Sequence, residues 1–161
     1  MTLPAHFLYL LDQLAAALRR ESLPRDEHGV CSLVVDGILP LNLGTAAEGR
    51  DIVLFAPLGK VPPAQRALLL GRMLSANGAG ASPYVLGLAQ DDGDQALISA
   101  RRPLEGLTIQ DLEQWAGAFV DTALGWSKVL QAGSGSPGGS AGNGEGPSST
   151  PPADPGAWLR A

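Results

Sequence analysis

The sequence predicts an α+β fold with elements in the order α-β-β-β-α-β-β-α. Three observations carry that prediction. Between Asp51 and Asn77 an apolar strand runs through a proline-marked turn into a crowded helix. An Asp-Gly dipeptide sits between two apolar runs at Val30–Leu43, and an amphipathic helical pattern stands at each end of the apolar part of the chain. With 161 residues and 45% hydrophobic content, the chain can bury one sizeable core, so a single domain is expected.

Pro4 to Arg20 reads as the first helix, because Phe7, Leu10, Leu11, Leu14, Ala17 and Leu18 recur at three- and four-residue steps. Asp12, Gln13, Arg19 and Arg20 mark its wetter side. Leu8 and Tyr9 fall partly outside the main stripe and form a second apolar area, either packed elsewhere or left for a partner. Leu23-Pro24 and the charged run Arg25–His28 end this helix.

Val30–Val35 and Ile38–Leu43 then form a hairpin around Asp36-Gly37, a pair that tolerates the positive φ of a two-residue type I′ turn. In that register Val35 faces Ile38, Leu33 faces Pro40 and Cys31 faces Asn42 on one side. Val34 faces Leu39, Ser32 faces Leu41 and Val30 faces Leu43 on the other. Both faces are then substantially apolar, which argues against one solvated face. Pro40 cannot donate a ladder bond and marks an irregular or edge-exposed stretch.

After a polar loop at Gly44–Arg50, Ile52–Ala56 forms a third strand that Pro57 and Gly59 stop. Pro62 and Pro63 suit a helix entrance. Leu68, Leu69, Leu70, Met73 and Leu74 then occupy more of the circumference than one core-facing stripe needs, so this helix is expected to be buried on two sides. The Asn77–Pro83 segment ends it. Tyr84–Ala89 and Gln95–Arg101 are the remaining strands, joined by a turn at Gln90–Asp94. Thr108 is a good N-cap, with Asp111 completing a capping-box-like pattern. The last helix carries Leu112, Trp115, Phe119, Ala123, Trp126 and Leu130 to about Gln131. From Ala132 the composition turns to Gly, Ser and Pro, which cannot repay the entropy of ordering. The reading is therefore a domain at 1–131 and a flexible tail at 132–161, where Trp158-Leu159 is the only candidate docking element.

A net charge of -5 disfavours a nucleic-acid-binding or anionic-membrane surface, since both partners are polyanions. Cys31 is the only cysteine, so an intramolecular disulfide and a thiolate metal cluster are excluded, as suits a reducing cytoplasm. Because no basic residue precedes the N-terminal apolar run and Asp12 interrupts it, no signal peptide is expected. No segment approaches the roughly 18 apolar residues of a membrane span. His6 and His28 are the only histidines, and neither has zinc-ligand spacing around it. Cys31 alternates with Leu33 and Val35 in a strand, the setting of a buried, inert thiol.

Asp91-Asp92-Gly93-Asp94 lacks the distal ligands of a calcium loop and reads as a hairpin turn. The glycine-rich Asn77–Ala81 follows a helix rather than a strand, and Leu58-Gly59-Lys60 is equally unsupported as a nucleotide loop. Arg101-Arg102 is either a solvated strand end or a contact for an acidic partner. No acid, base and nucleophile converge, so neither enzyme activity nor a cofactor is expected.

Five stretches in this order resemble the class I type III secretion chaperones, the family of the Tir and YopE chaperones. They are FLYLLDQLAAALRR, HGVCSLVVDGILPLNL, LFAPLGKVPPAQRALLLGRMLSAN, the strand end ISARRPLEGL and the helix TIQDLEQWAGAFVDTALGWSKVL. The resemblance covers about Ala5 to Gln131; Pro83 and the Gly/Ser/Pro tail depart from the usual pattern. It implies a twisted, mainly antiparallel sheet packed by helices, in a homodimer of the bacterial cytoplasm that binds the N-terminal segment of a secretion effector without ATP. It also implies contact with the secretion apparatus and no insertion into membranes. Sequestration of a transcriptional regulator by the same fold is the alternative. On this resemblance the effector surface is expected at Leu8, Tyr9, Val34, Leu39 and Leu41, and the dimer contact at Leu69, Leu70 and Met73.

Overall fold

The computed structural model describes residues 3–78, 83–90 and 93–132. Part of the Asn77–Pro83 connection, Asp91-Asp92, and the tail after Ala132 with Trp158-Leu159 lie outside the described residues. The elements are α1 (Ala5–Ala17), β1 (Cys31–Val35), β2 (Leu39–Ala46), β3 (Asp51–Lys60), a one-turn 3-10 helix (Pro63–Gln65), α2 (Arg66–Asn77), β4 (Tyr84–Leu88), β5 (Gln95–Pro103) and α3 (Ile109–Ala132). The strands form one antiparallel sheet in the order β1-β2-β3-β5-β4, with β1 and β4 at its edges.

Alternate positions along the strands supply the core. Cys31, Leu33, Leu41, Leu43, Ile52, Leu54, Ile98 and Ala100 are buried together with Phe7, Leu10 and Leu14 of α1 and Leu112, Trp115 and Phe119 of α3. Each leucine- or phenylalanine-sized group so buried is worth about 1.5–3 kcal/mol relative to exposure. Among the described residues no polar or charged residue is buried. The position of α1 is fixed partly by close approach: at Gly49 (φ +85°) an added Cβ would meet Pro4 Cγ at 2.6 Å. A side chain there would strain the turn and push the helix entrance away.

Capping of α3 follows the sequence. The Asp111 amide donates to Thr108 Oγ1 at 3.2 Å, and the Thr108 amide donates to Asp111 Oδ2 at 3.1 Å. Aspartate is thus long enough to close the box, because Thr108 Oγ1 also donates to Oδ2 at 2.5 Å.

The first hairpin corrects the expected register. Asp36 and Gly37 do have positive φ, +51° and +67°, and the Ile38 amide donates to the Val35 carbonyl at 3.0 Å. The ladder nevertheless pairs Val35 with Leu39, Leu33 with Leu41 and Cys31 with Leu43, leaving Ile38 as an extra, exposed residue. The two-residue register would have split the apolar side chains between the faces. A one-residue slip moves a strand's whole side-chain set to the opposite face. Here it gathers Cys31, Leu33, Val35, Leu39, Leu41 and Leu43 on the core face and leaves Ser32, Val34 and Pro40 on the other.

Two strand ends also differ from expectation. β2 continues through Gly44 to Ala46, so only Ala47–Arg50 turn the chain. β3 passes Pro57 and reaches Lys60, because β5 pairs with it throughout, with an irregularity between Pro57 and Gly59 (φ +115°). Its ladder with β2 ends at Asn42–Phe55. Continuing that register by two residues would set Pro40 against Pro57, and neither can donate a ladder bond.

Candidate functional site

The helices meet the sheet on one face: α3 packs over β3 and β2, while α2 lies by β4. The alternate positions point the other way. They are Ser32 and Val34 on β1, Pro40 and Asn42 on β2, Val53, Phe55 and Pro57 on β3, Leu97, Ser99 and Arg101 on β5, and Val85 and Gly87 on β4. None of these belongs to the buried core or to the apolar groups packed against it. Register aligns them in rows. Ser32, Asn42, Phe55, Ser99 and Val85 stand side by side across all five strands. Val34 and Pro40 form the start of a second, more apolar row, and Pro57, Leu97 and Gly87 its continuation. Ser32 Oγ donates to Asn42 Oδ1 at 2.6 Å, and Asn42 Nδ2 to the Phe55 carbonyl at 3.3 Å. Arg101 closes the face at one end through its ion pair with Asp51. The result is a largely apolar sheet surface on which Ser32 and Asn42 bond within the face and Arg101 pairs with Asp51.

The two sheet edges are finished differently. On β4 the side chain of Asn77 substitutes for a neighbouring strand: Nδ2 donates to the Leu86 carbonyl at 2.7 Å, and the Leu86 amide donates to Oδ1 at 2.8 Å. On β1 a single bridge from Arg25 reaches Cys31, and beyond it the edge meets no other strand among the described residues.

The structure separates the expected site residues. Val34 lies on the uncovered face and is 59% exposed, whereas Leu39 and Leu41 are buried at 2% and 0%. The register shift is the cause, so neither leucine is a surface residue and Val34 does not share a face with them. Leu8 is half-buried and Tyr9 is exposed, its ring stacked on His6 with centroids 6.2 Å apart. His6 Nε2 in turn pairs with the Leu107 carbonyl at 2.9 Å, at the rim of a 480 Å³ cleft lined by His6, Arg50, Asp51, Leu104 and Glu105. Phe55, Pro57, Val85 and Leu97 escaped the sequence reading. For Phe55 and Pro57 the signal was present in DIVLFAPLGK, which is apolar at both parities and therefore dresses both faces.

On α2, Leu69 and Met73 point into the chain's own core, Leu70 is partly buried, and Leu68 and Leu74 face outward, Leu74 at 71% exposure. The helix is apolar on two sides, as expected, but Leu69 and Met73 are on the side already covered. Beside it runs a trough of 620 Å³, lined by Ala67, Leu68, Gly71, Arg72 and Ser75 of α2 and by Trp126 and Val129 of α3.

Burial pushes the Cys31 thiol up to about 11, a shift that Arg25 and Arg20 only partly oppose. At neutral pH this group is a protonated thiol in the core, with little nucleophilic character. Among the described residues no three His, Cys, Asp or Glu side chains converge as metal ligands, and no helix is long and apolar enough to cross a membrane.

The sheet is thus open and antiparallel, with helices on one face and a largely apolar second face left uncovered. The sequence profile described as "Tir chaperone protein (CesT) family" matches residues 9–127. The chain belongs to that family, the class I type III secretion chaperones. No curated protein matches the chain in sequence. Solved structures share the fold. The ExsC–ExsE complex gives a TM-score of 0.66 at 22% identity, covering 81% of this chain and 97% of that one. The HopA1–SchA chaperone–effector complex gives 0.62 at 21%, covering 77% and 96%. The type III secretion chaperone SycH of Yersinia pestis, in complex with a stable fragment of YscM2, gives 0.59 at 20%, covering 74% and 98%.

Proposed function

We propose that this protein is a chaperone of the bacterial cytoplasm that holds the N-terminal segment of a secretion effector in a soluble, secretion-competent form, acting as a homodimer and without ATP. The observation that carries this reading is the uncovered apolar sheet face. Val34, Pro40, Phe55, Pro57, Val85 and Leu97 offer apolar side chains to an extended chain, and the open β1 edge offers backbone groups beside them. In binding of that kind main-chain hydrogen bonds supply affinity and alternate side chains supply selectivity. No cofactor is needed for it. A second copy would meet Leu68 and Leu74, the outward residues of α2, in an isologous contact.

The test starts from the full chain purified out of a secreting bacterium, with co-purifying proteins identified by mass spectrometry. The expected partner is a secreted protein whose binding disappears when its own N-terminal segment is deleted. Val34→Asp, which leaves the core untouched, should weaken that binding at least tenfold. Full retention by Val34→Asp and by Leu97→Asp would remove the uncovered face from the function. Light scattering of Leu74→Asp checks the dimer separately: the expected mass is that of a monomer, and an unchanged dimer would take α2 out of the contact.

A further inference from the structure

The connection between α1 and β1 finishes one half of the β1 edge and leaves the other half open. Asp26 folds it back: its Oδ1 accepts from the His28 amide at 2.9 Å and the Val30 amide at 2.8 Å, and its own amide donates to the Val30 carbonyl at 3.0 Å. The bridge between Arg25 and Cys31 follows from that turn. In an antiparallel ladder the amide and carbonyl of one residue point to the same side, and successive residues alternate. Val35 turns its carbonyl toward the β2 arm, where the Ile38 amide meets it, whereas Val30 turns both groups toward Asp26. Even-numbered residues therefore present their backbone outward. Asp26 satisfies Val30, but the amide and carbonyl of Val34 have no partner among the described residues. The Val34 side chain is also exposed, on the uncovered face.

Charge marks the closed end of this opening. Arg25 stands opposite Cys31, so its side chain shares the helix side of the sheet with Cys31. Arg20 is close as well, since both guanidinium groups act on the Cys31 thiol. The acids of the connection do not offset them there: Asp26 caps its turn, Glu27 lies 3.6 Å from His28 Nε2, and neither these nor Glu21 act on that thiol. We propose that the β1 edge takes one short extended segment of a partner chain, with an apolar residue opposite Val34 and an acidic residue opposite Leu33, next to Arg25. The proposal rests on the effector-binding reading and specifies the segment that reading calls for. In the antiparallel sense Val34 exchanges both backbone bonds with a single residue, whose side chain joins the row of Val34, Pro40 and Leu97. Its C-terminal neighbour points to the helix side, about 7 Å along the edge from the position of Arg25 and within reach of a guanidinium. The Arg25 bridge stops the segment there, so its register is fixed.

The test titrates the full, isotopically labelled chain with two blocked synthetic peptides, Thr-Thr-Ile-Asp-Thr and Thr-Thr-Ile-Lys-Thr, and follows the backbone amides of β1 by NMR. The aspartyl peptide is expected to shift the Val34 amide and to bind about fivefold more tightly than the lysyl one. Arg25→Glu, an exposed change, should reverse that order. Val34→Pro removes an amide hydrogen that the β1–β2 ladder does not use, and proline is tolerated on an edge strand; it should weaken both peptides at least tenfold, read at the Leu33 amide. Equal affinities for the two peptides, or an order unchanged in Arg25→Glu, would overturn the proposal. So would binding that survives Val34→Pro, or the absence of any shift at Val34. None of these outcomes decides the effector-binding reading, whose own readout is capture of a secreted protein by the uncovered face in Val34→Asp and Leu97→Asp.

Discussion

Leu41 and Val34 lie on neighbouring strands of one hairpin, yet they belong to opposite faces of the sheet and to different physics. Leu41 sits under the helices with no exposed surface; Val34 faces outward with nothing packed on it. The outward face is interrupted by Ser32, Asn42, Ser99 and Arg101, yet Val34, Phe55, Val85 and Leu97 on it are as apolar as the residues under the helices. Hydrophobicity alone therefore does not separate a core from a binding surface in this fold. The layer that covers a strand does.

That contrast can be broken by substitution. Leu41→Ala should have the largest effect, a loss of about 2–5 kcal/mol in chemical denaturation, because a cavity opens in a closed core. A loss under 1 kcal/mol would mean that the covered face is loosely packed. Asn77→Ala should come next. It removes both hydrogen bonds that finish the β4 edge, at about 0.5–1.5 kcal/mol each, and should raise concentration-dependent association through that edge.

Thr108→Ala should cost about 1 kcal/mol through loss of the N-cap of α3, measurable in the same denaturation curves. Its partner adds a pH signature. The Thr108 hydroxyl and amide hold the Asp111 carboxyl below its usual value. A depressed carboxyl stabilises the fold above its unfolded pKa, and that contribution fades as pH falls through the folded one. In Thr108→Ala this part of the acid dependence should flatten. Val34→Asp should be the mildest change, within about 0.5 kcal/mol, while weakening effector capture. If it melted the protein as Leu41→Ala does, the two faces would not be distinct.

Much of the architecture was legible from local patterns. The order of elements, the amphipathic α1 and α3, the Thr108 cap and the inert Cys31 follow from periodicity and capping chemistry. The hairpin register was not legible, although its turn chemistry was: Asp36 and Gly37 adopt the φ values that the turn demands. The position of Ile38 was instead decided by tertiary segregation of six core side chains onto one face. That single residue moved Leu39 and Leu41 from the expected site into the core. On α2 the two-sided apolar pattern was readable, but which side faces inward depends on where β4 and α3 lie, and no local signal encodes that. The uncovered row through Phe55 and Leu97 also required the pairing of β3 with β5, two strands separated in the chain by α2 and β4.

The meeting of Pro40 and Pro57 gives the sheet a fork. From the Ala47–Arg50 turn the β2–β3 ladder closes like a zip as far as Asn42 and Phe55, two positions short of Pro40 and Pro57, which have no amide hydrogens to extend it. Past that point β2 answers only to β1, and β3 only to β5. The fork lies between Val34 and Leu97, so the apolar row they belong to is carried on strands that no β2–β3 ladder bond joins at that level.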